Sequence, residues 1–525
     1  MLWIALHLPL LSLESFAATL AHEASGQPLA LLDARAIVSA NAPARALGVK
    51  PGLQRATALA LAPQLTLGQA DPARDAQALT AVAHAALAFT PMVVIEFAGD
   101  IASASTRGTA AHTVLLEVQA SLRYFGGAPA LLQRLHAALA PLGHRLHTVS
   151  ASTALGAALL ARVHPQLDCV DLAATRRALD AAPAWLLGPG RAHWEALQGM
   201  GLRTLADLKR VPREGLARRF GEAMLSQLDR ATGQCPDPRE PLVPASTFDS
   251  RLELHARADT TEQLLHGAQL LLARLIAWLA AQHAFVRRYT LVMQHEKGSR
   301  RAALTAGSTA LEIALAEPSR DPAHLLVLLR ERLASLQLPA PTLELRLHAQ
   351  DIARRAPPNA ELFPTPQSEQ EGLTRLIERL QARLGTEQVL RLVARQDHRP
   401  ERASAWRRAD AHMRPGVRPM RAHAAILPAG NSGGAPPPTS PVRPVWLLHP
   451  PEPLRERDRG PLLDGQPLQL LSGPERIESG WWDAALAERD YFIAQLPGGA
   501  LVWVYRARVP MPGATQGWFL QGRFG

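Results

Sequence analysis

Short apolar runs alternate with Ala- and Leu-rich stretches of helical spacing through residues 1–180. A short apolar run predicts a buried strand, whereas apolar residues that recur every three or four positions predict an amphipathic helix. Strands are predicted at Leu2–Leu6, Leu29–Leu32, Ile37–Ser39, Val93–Phe97 and Val114–Val118, and helices at Ser12–His22, Asp75–Ala88 and Ala130–Leu139. Strands and helices in alternation are typical of an α/β layer.

Glycines divide residues 184–235 into segments, each about as long as a short helix. Gly188-Pro189-Gly190 begins one piece, Gly199 and Gly201 interrupt it, and Thr204–Arg210 follows. Glycine is the usual residue at helix ends and turns because it adopts backbone conformations that other residues avoid. This segment therefore predicts a compact module of short helices.

Residues 249–350 show a third pattern, in which strand-like and helix-like periods follow a fixed order. The predicted order is strand, helix, strand, strand, helix and strand, at Arg251–Arg257, Thr261–Gln282, Val286–Gln294, Ala303–Ala316, Pro322–Leu336 and Leu343–His348. This β-α-β-β-α-β order predicts a small sheet that is covered on one face by two helices.

The chain beyond Ala353 is less regular. Ser368 and Glu371 have the spacing of a helix-capping box, and leucines at helical spacing then predict one amphipathic helix over Leu373–Leu384. Residues 407–442 are rich in Arg, Pro, Gly and Ser and indicate a flexible linker. Five tryptophans follow the linker, so we expect the tail to fold or to dock on a partner.

Charge and composition narrow the class of partner. The formal net charge is +10 and the pI is about 10.5, which favours a polyanionic partner. Nearly all of the positive charge is arginine, whose fork fits phosphate through two hydrogen bonds. A GC-rich genome explains the preference for arginine over lysine, but it does not explain the positive excess.

Cysteine and hydropathy indicate a cytoplasmic protein without a membrane segment. Cys169 and Cys235 have no zinc-ligand spacing and do not make a disulfide framework. The apolar N-terminus has no basic residue before Arg35, and His7, Pro9 and Glu14 interrupt it, so a strand followed by a helix fits better than a signal peptide. We found no uninterrupted apolar run of about 18 residues, the length that a membrane span needs.

Three segments carry a resemblance to a known family. Asn41–Gly52 (NAPARALGVKPG) resembles the fingers signature of Y-family DNA polymerases, the glycine module resembles their helix-hairpin-helix thumb, and the split βαβ unit resembles their little finger. The resemblance covers roughly residues 1–350, and it implies palm, fingers, thumb and little finger in that order. The expected fold class is therefore an α/β and α+β multidomain protein of Y-family polymerase architecture, with a C-terminal partner-binding tail.

The same resemblance reveals departures at the positions where the family binds metal. The family holds two Mg²⁺ ions with an Asp-x-Asp at the end of the first strand and an Asp-Glu on a later strand. The corresponding positions here are His7 and Pro9, and His112 and Thr113. Imidazole is a poor ligand for a hard cation, and proline has no side-chain donor atom. A shift of this alignment would bring Glu96 and Asp100 closer to the site.

The nucleotide pocket departs from the family in the same way. Ala42 stands at the position of a tyrosine that contacts the incoming triphosphate, and Ser152-Thr153 replaces an Asn-Lys pair. Arg45 remains as a candidate phosphate contact, or alternatively as a residue that only stabilises the fingers. We therefore expect no catalytic residues, no bound metal and no cofactor, with Mg²⁺ only if the chain is an active polymerase. A softer metal on His7 and His112 is rejected, because histidines satisfied by their neighbours are far commoner.

Candidate DNA contacts lie in the thumb and the little finger. Gly188 and Gly190 are predicted to present backbone N–H groups to a phosphate, with the alternative of an ordinary helical corner. Three basic residues that follow them are predicted to add phosphate contacts: Lys209, Arg210 and Arg213. Arg287 and Arg288 are candidates for the template backbone, or alternatively a solvated charge pair that protects an edge strand.

The C-terminal third carries a narrower resemblance. Gln396–Arg402 (QDHRPER), Arg443–Leu454 (RPVWLLHPPEPL) and Trp518–Gly522 (WFLQG) resemble segments of the ImuB proteins, which are polymerase-like bacterial proteins without catalytic acids. The resemblance implies a mutasome with three protein partners: the sliding clamp, an ImuA-type RecA-like protein and an error-prone C-family DNA polymerase. Family members carry a clamp-binding peptide after the little finger, where this chain has Asn359, Leu362 and Phe363. The tail tryptophans Trp446, Trp481, Trp482, Trp503 and Trp518 are the candidate partner-binding residues.

These observations predict six parts along the chain: the palm and fingers at 1–183, the thumb at 184–240, the little finger at 247–352, the clamp peptide and amphipathic helix at 353–406, the linker at 407–442 and the Trp-rich partner-binding region at 443–525. The leading hypothesis is a noncatalytic scaffold of translesion synthesis that binds primer–template or damaged DNA in the cytoplasm, at the nucleoid. One alternative is an active Y-family polymerase with misaligned metal ligands. Another is a protein-interaction hub that no longer binds DNA.

Overall fold

The chain forms two compact units in a computed structural model that describes residues 1–20, 26–96, 112–296, 307–354, 366–409, 443–444, 446–457, 460–483, 485–508 and 517–524. The units are Met1–Arg383 and Leu384–Gly525. The boundary between them lies inside the predicted segment 353–406, so the ImuB-like segment Gln396–Arg402 belongs to the second unit.

Residues 1–181 form two sheets with their helices. The strands are β1 (Trp3–His7), β2 (Leu29–Asp33), β3 (Ala36–Ala40), β4 (Thr66–Gln69), β5 (Val93–Glu96), β6 (Thr113–Glu117), β7 (His147–Ala151) and β8 (Gln166–Asp168). The helices are α1 (Leu11–Ala17), α2 (Ala42–Ala46), α3 (Arg55–Leu61), α4 (Pro72–Leu87), α5 (Leu122–Phe125), α6 (Ala128–Leu139), α7 (Ala154–Ala161) and α8 (Leu172–Ala181).

The five-stranded palm sheet has the order β5-β6-β1-β7-β8. Its central strand β1 is antiparallel to both β6 and β7. Ile4 and Leu6 point into one apolar cluster while Trp3 and Ala5 point into another, so β1 is buried on both faces. Burial on both faces explains why β1 is a continuous apolar run and not an alternating one. A second, three-stranded sheet of order β3-β2-β4 packs with α2 and α3.

The helix predicted over Ser12–His22 is shorter in the structure. α1 ends at Ala17, and the hydroxyl of Thr19 donates to the carbonyl of Phe16 at 2.7 Å. A side-chain hydroxyl that bonds a carbonyl of the last turn competes with continuation of the helix. The end of the predicted helix, at Ala21 and His22, lies outside the described residues.

The glycine module is a cluster of short helices, as the sequence predicts. They are α9 (Gly188–Ala192), α10 (Trp194–Gly199), α11 (Leu205–Arg210), α12 (Arg213–Phe220) and α13 (Glu222–Thr232), after a 3-10 turn at Ala184–Leu186. Leu197, Leu208, Leu216 and Met224 belong to the same apolar cluster as one face of the palm sheet. The thumb module therefore packs directly on the palm.

The predicted β-α-β-β-α-β unit is present over residues 248–354. Its elements are β9 (Phe248–Ala258), α14 (Thr261–Ala281), β10 (Ala284–His295), β11 (Ser308–Ser319), α15 (Pro322–Ala334) and β12 (Thr342–Arg354). The sheet order is β11-β10-β12-β9, and every pair is antiparallel. α14 begins with a Thr260–Gln263 capping box, and it packs against both this sheet and α4 of the palm.

α14 is long and apolar enough to cross a membrane by length and composition alone. Its apolar residues instead form the core of the little finger, where Leu264, Leu271, Leu275 and Trp278 are buried. Burial inside a domain accounts for this composition.

The predicted amphipathic helix is present as α16 (Pro366–Leu384), and it packs on the little finger. Ile377 is buried, and Glu378 accepts the backbone N–H of Ala316 at 2.6 Å and pairs with His324 at 2.8 Å. Leu376, Leu380 and Leu384 remain exposed.

The described residues of the second unit are mostly in strands. They are β13 (Leu390–Ala394), β14 (Ser404–Arg408), β15 (Trp446–Arg457), β16 (Gly460–Leu463), β17 (Gln466–Pro467), β18 (Gln469–Ser479), β19 (Ala487–Gln495), β20 (Leu501–Ala507) and β21 (Trp518–Arg523). β13 and β14 form a separate hairpin, and the others form one sheet of order β17-β16-β15-β21-β20-β19-β18. Most of the predicted linker, 410–442, lies outside the described residues, but Arg407 and Arg408 belong to β14.

The predicted fold class is confirmed: the chain has α/β and α+β layers in a first unit and an additional β region at its C-terminus.

Candidate functional site: the palm edge and the basic surfaces

Three palm strands bring His7, Thr113 and His147 together at one edge of the sheet. His7 lies opposite Thr113 on β6 and opposite His147 on β7. Its Nδ1 is 3.0 Å from the Thr113 hydroxyl, and its ring lies 5.9 Å from the ring of His147. His112 precedes β6, and its carbonyl accepts the N–H of Leu8 at 2.8 Å. Three of the predicted metal-ligand positions, His7, His112 and Thr113, therefore lie together, and Pro9 lies in the turn that follows β1.

Burial favours the neutral form of His7 and His112. It lowers the pKa of His7 to about 4, with the Arg162 guanidinium lowering it further, and it also lowers the pKa of His112. A neutral imidazole hydrogen-bonded to a threonine is a poor ligand for Mg²⁺, which prefers carboxylate oxygen and water.

The nearest carboxylate on the strands is already engaged. Glu96 lies opposite Thr113 on β5, and its carboxylate pairs with Arg239 at 3.1 Å. Arg239 also pairs with Asp237 at 2.8 Å. Burial raises the pKa of Glu96 although Arg239 acts in the opposite direction. An acid held in this pair is not free to bind a cation.

Asp75 is another acid near this edge. It accepts a short hydrogen bond from the hydroxyl of Ser12, and burial raises its pKa. Within the described ranges, no group of three or more His, Cys, Asp or Glu side chains is placed to hold a metal ion. Asp100, the other acid that a shifted alignment would bring in, lies outside those ranges.

In the fingers, the Asn41 side chain ties β2 to α2, and Arg45 is left exposed. The Oδ1 atom of Asn41 accepts the N–H groups of Leu29 and Ala44, both at 3.0 Å. This explains the asparagine of the fingers signature as a structural residue. Arg45 extends into solvent from α2, so its candidate phosphate contact stays a prediction.

The thumb glycines have structural roles that the phosphate prediction did not include. The N–H of Gly188 donates to the side chain of Gln227 at 2.9 Å, so this N–H does not point at a ligand. A Cβ on Gly190 would overlap the carbonyl oxygen of Ala184. Gly190 is therefore required for close packing of α9 against the preceding turn.

The basic residues of the thumb differ in how they are paired. Lys209 pairs with Asp180, and Arg213 makes a two-point pair with Asp229 at 2.5 and 2.9 Å, so acids balance both charges. Arg210 is 81% exposed, and it pairs with Asp207 at 3.6 Å. Arg218 on α12 is also exposed. The charges of Lys209 and Arg213 are therefore already paired with acids, whereas Arg210 and Arg218 are more open to a phosphate, and the predicted DNA contacts stay predictions.

In the little finger, Arg287 and Arg288 are exposed on β10. The alternative that they protect an edge strand is wrong, because β10 lies between β11 and β12. A sequence alternation shows which residues face solvent, but it does not show the position of a strand in its sheet. Arg288 pairs with Glu312 at 3.3 Å. Asn359, Leu362 and Phe363 of the candidate clamp peptide lie outside the described residues.

The tail tryptophans fall into two groups. Trp446, Trp481 and Trp482 are exposed, whereas Trp503 and Trp518 are 2% and 4% exposed. Trp503 stacks on Tyr491 with 4.2 Å between ring centroids, and Trp518 packs with Phe492. The prediction that all five contact a partner is therefore wrong for Trp503 and Trp518, because they form the core of their own sheet. Sequence reasoning also missed Trp406, which is exposed on β14.

Arg399 anchors the segment Gln396–Arg402 to the large sheet. It is buried, and it pairs with Asp397 and Asp483, each at 2.7 Å. It also donates to the carbonyl of Ala485 at 3.0 Å. Nearby, Glu401 pairs with Arg489 at 3.0 Å, and Arg489 donates to Tyr491. These contacts account for the segment as a structural element.

The chain is similar to known proteins over most of its length, although no family model matches it. The proteins named ImuB from two strains of Caulobacter vibrioides are each 27% identical to it over 500 residues, which is 91% of this chain and all of theirs. Among solved structures, a DinB of Sulfolobus solfataricus and an insertion ternary complex of Dbh DNA polymerase cover 67% of the chain and 99% of their own length. Both are 16% identical to it, with TM-scores of 0.37 and 0.38.

Proposed function

We propose that this chain, a homologue of ImuB, is a noncatalytic DNA-binding scaffold of translesion synthesis at damaged DNA. In this role it holds primer–template DNA, and it recruits a sliding clamp and an error-prone C-family DNA polymerase that performs the synthesis. It also binds an ImuA-type RecA-like protein. The proposal places it in the cytoplasm, at the nucleoid, as part of a damage-induced (SOS) mutagenic response.

The observation that carries the noncatalytic role is the edge of the palm sheet. Two-metal catalysis needs carboxylates that clamp the cations against the attacking and leaving oxygens. Here His7 bonds Thr113 where the resemblance expects those acids, and Glu96 is engaged with Arg239. These residues do not fit a pair of Mg²⁺ ions, so no metal and no cofactor enter the proposal.

DNA binding rests on charge and on exposed arginines. The net charge is +10, and exposed Arg210, Arg218 and Arg287 lie on the thumb and little finger. Contacts of this kind are made to phosphate and do not depend on sequence. The protein partners rest on the resemblance to ImuB, on the peptide around Leu362 and Phe363, and on the exposed Trp446, Trp481 and Trp482.

The first experiment combines primer extension with DNA binding on the same purified sample, with dNTPs and Mg²⁺. We expect binding to primer–template duplex without extension. Extension that survives stringent purification and is lost in Glu96→Gln or Glu117→Gln would overturn the noncatalytic role in favour of an active polymerase. Glu117 also accepts the N–H of Leu2 at 3.3 Å, so the folding of its variant is checked by thermal unfolding.

A second experiment separates a DNA-bound scaffold from a pure interaction hub. Affinity for duplex DNA should fall steeply with salt, because each phosphate contact releases counterions. Arg210→Glu with Arg218→Glu should weaken binding by roughly tenfold or more and reduce the salt slope by about one for each phosphate that the protein no longer touches. Lys209→Gln is the matched control, since Asp180 already pairs with this lysine. The absence of any salt-sensitive affinity in the unmodified chain would support the hub.

A further inference from the structure

Helix α16 turns polar side chains towards the little finger and leaves a ridge of leucines in solvent. Thr374 and Glu378 are buried. At 3.6 residues per turn, both point roughly 160° away from Leu376, the residue midway between them. The leucines at intervals of four positions are 53%, 37% and 55% exposed, in the order Leu376, Leu380 and Leu384. A surface helix normally buries its apolar face, so this ridge indicates a surface that another molecule covers.

Polar contacts fix this orientation of α16. One carboxylate oxygen of Glu378 accepts the N–H of Ala316 at 2.6 Å, and the other lies 2.8 Å from the Nε2 atom of His324. At the surface, Arg375 donates to Asp321 at 2.9 Å. Rotation of the helix to bury its leucines would separate Glu378 from both partners and leave polar groups unsatisfied, which is costly where water is excluded. The ridge is therefore formed before any partner binds.

The exposed side of α16 carries positive charge and no acid. Arg383 is exposed, and its helical spacing places it on the side of the leucines. It forms no ion pair within the described part of the chain. Arg379, also beside the ridge, is 60% exposed although Glu331 lies 3.6 Å away. The described side chains of α16 include one acid, Glu378, which is buried on the other side.

We propose that this ridge docks an amphipathic helix of a partner protein, one that carries acidic residues beside its apolar stripe. Leucines four positions apart form the kind of ridge that packs into the groove of another helix. A second copy of this chain fits poorly, because two such faces bring arginines together without an acid to balance them. A nucleic acid would satisfy the arginines but leave the leucines uncovered, since leucine offers no flat surface on which a base stacks.

This inference rests on the proposed scaffold and deepens it, because it assigns a recruitment surface outside the Trp-rich region. The test uses the full chain and two fluorescent helical peptides of about 20 residues, long enough to cover the ridge. The peptides have the same leucines, but one has glutamates beside them and the other has lysines. In fluorescence anisotropy at low salt, we expect the glutamate peptide to bind about tenfold more tightly than the lysine peptide, because like charges oppose docking.

Substitutions separate the leucines from the charge. Leu380→Ser should weaken binding of the glutamate peptide by about tenfold, because a central apolar anchor is lost. Leu343→Ser is the matched control, since Leu343 is exposed to a similar degree on β12 and should leave peptide binding unchanged. Arg383→Glu should shift the preference towards the lysine peptide. In thermal unfolding, Leu380→Ser should leave the Tm unchanged, whereas Ile377→Ser should lower it, because Ile377 is buried on the same helix.

Three outcomes would overturn the assignment. Equal affinity for the two peptides, or equal binding in Leu380→Ser and the unmodified chain, would show that no acidic helix docks on the ridge. A fall in Tm as large in Leu380→Ser as in Ile377→Ser would show that the chain itself covers the leucines. Loss of a dimer in Leu380→Ser during sedimentation would assign the ridge to a second copy. Duplex binding by Leu380→Ser should be unchanged, so the DNA-binding role fails or stands on separate data.

Discussion

Each of the two units contains a cluster in which arginine pairs with two acids, and the clusters affect their acids in opposite ways. In the palm, Arg239 pairs with Glu96 and Asp237, yet burial raises the pKa of Glu96. In the second unit, hydrogen bonds from Arg399 lower the pKa of Asp397 to about 2 and also lower that of Asp483. The hydrogen bonds of its arginine partner therefore dominate the pKa of Asp397, whereas in the palm the desolvation of Glu96 outweighs the effect of Arg239.

The difference between the clusters also bears on function. An acid that binds a metal must ionise readily and keep its oxygens free. Glu96 meets neither requirement, because desolvation opposes its ionisation and Arg239 occupies its carboxylate. Four substitutions test how buried and exposed arginine pairs differ, from the largest expected effect to the smallest.

Arg239→Met should have the largest effect on stability. It leaves Glu96 buried without a charged partner, and breaking a buried pair from one side lowers the free energy of unfolding by about 3–5 kcal/mol. Urea unfolding measures the change. Adding Glu96→Leu should recover part of the loss, because an apolar pair replaces one of the two acids that lose Arg239, while Asp237 remains. An equal loss in the single and double variants would show that the palm pair is not the cause.

Gly480→Ala should have the next largest effect on stability. Gly480 has a φ of +84°, and a Cβ there would overlap the Ala485 carbonyl and the Nη1 atom of Arg399. We expect a loss of about 2 kcal/mol or more, from the left-handed backbone and the overlap together. Gly499→Ala is the matched control, since its φ is +89° but no atom lies closer than 4.0 Å. A similar loss at both positions would mean that Arg399 can move away.

Arg399→Gln should change how the second unit responds to acid. The pKa of Asp397 is lowered in the folded chain, so its stabilising contribution is complete above its unfolded pKa of about 3.9. That contribution is lost as the pH falls through about 4 towards 2. In Arg399→Gln the pKa of Asp397 should rise towards its ordinary value. Carboxyl titration by NMR between pH 2 and pH 5 measures this, and an unchanged titration would exclude Arg399 as the cause.

Arg288→Gln should have the smallest effect on stability. Its pair with Glu312 is exposed on both sides, and exposed pairs contribute at most about 0.5–1 kcal/mol. Thermal unfolding should therefore change little. The same substitution should weaken duplex binding modestly if Arg288 reaches a phosphate, and Glu312→Gln should strengthen it. The reverse pattern, with tighter binding in Arg288→Gln and weaker binding in Glu312→Gln, would contradict a role in DNA contact.

Local patterns predicted most of the first unit. The little finger follows from alternation in Leu343–His348 and from the helical spacing of α14, and both patterns arise from burial of one face. The pairing of His7 with Thr113 followed from a motif comparison, because neighbouring strands align the two motifs. The same reasoning placed Arg287 and Arg288 correctly on a strand, but one of its two alternatives took that strand for an edge.

Long-range partners could not be predicted. Nothing in the sequence near Lys209 or Arg213 indicates that Asp180 and Asp229 balance them, because these pairs form only after the helices pack. The same holds for Arg399, whose partner Asp483 is far along the chain. Trp503 and Trp518 were misjudged because composition shows that aromatic residues are abundant but not which of them a sheet buries. The alternation of Leu390 and Leu392 was visible, but its pairing with Trp406 was not.

Arg274 places a buried cation in the contact between the little finger and the palm. It lies buried on α14, where it donates to the side chains of Gln77 and Ser250 at 3.4 and 3.1 Å, and burial alone lowers its pKa to about 10. Water would solvate this guanidinium fully if α14 and α4 moved apart. Apolar packing therefore favours contact between α14 and α4, whereas hydration of the Arg274 guanidinium favours their separation.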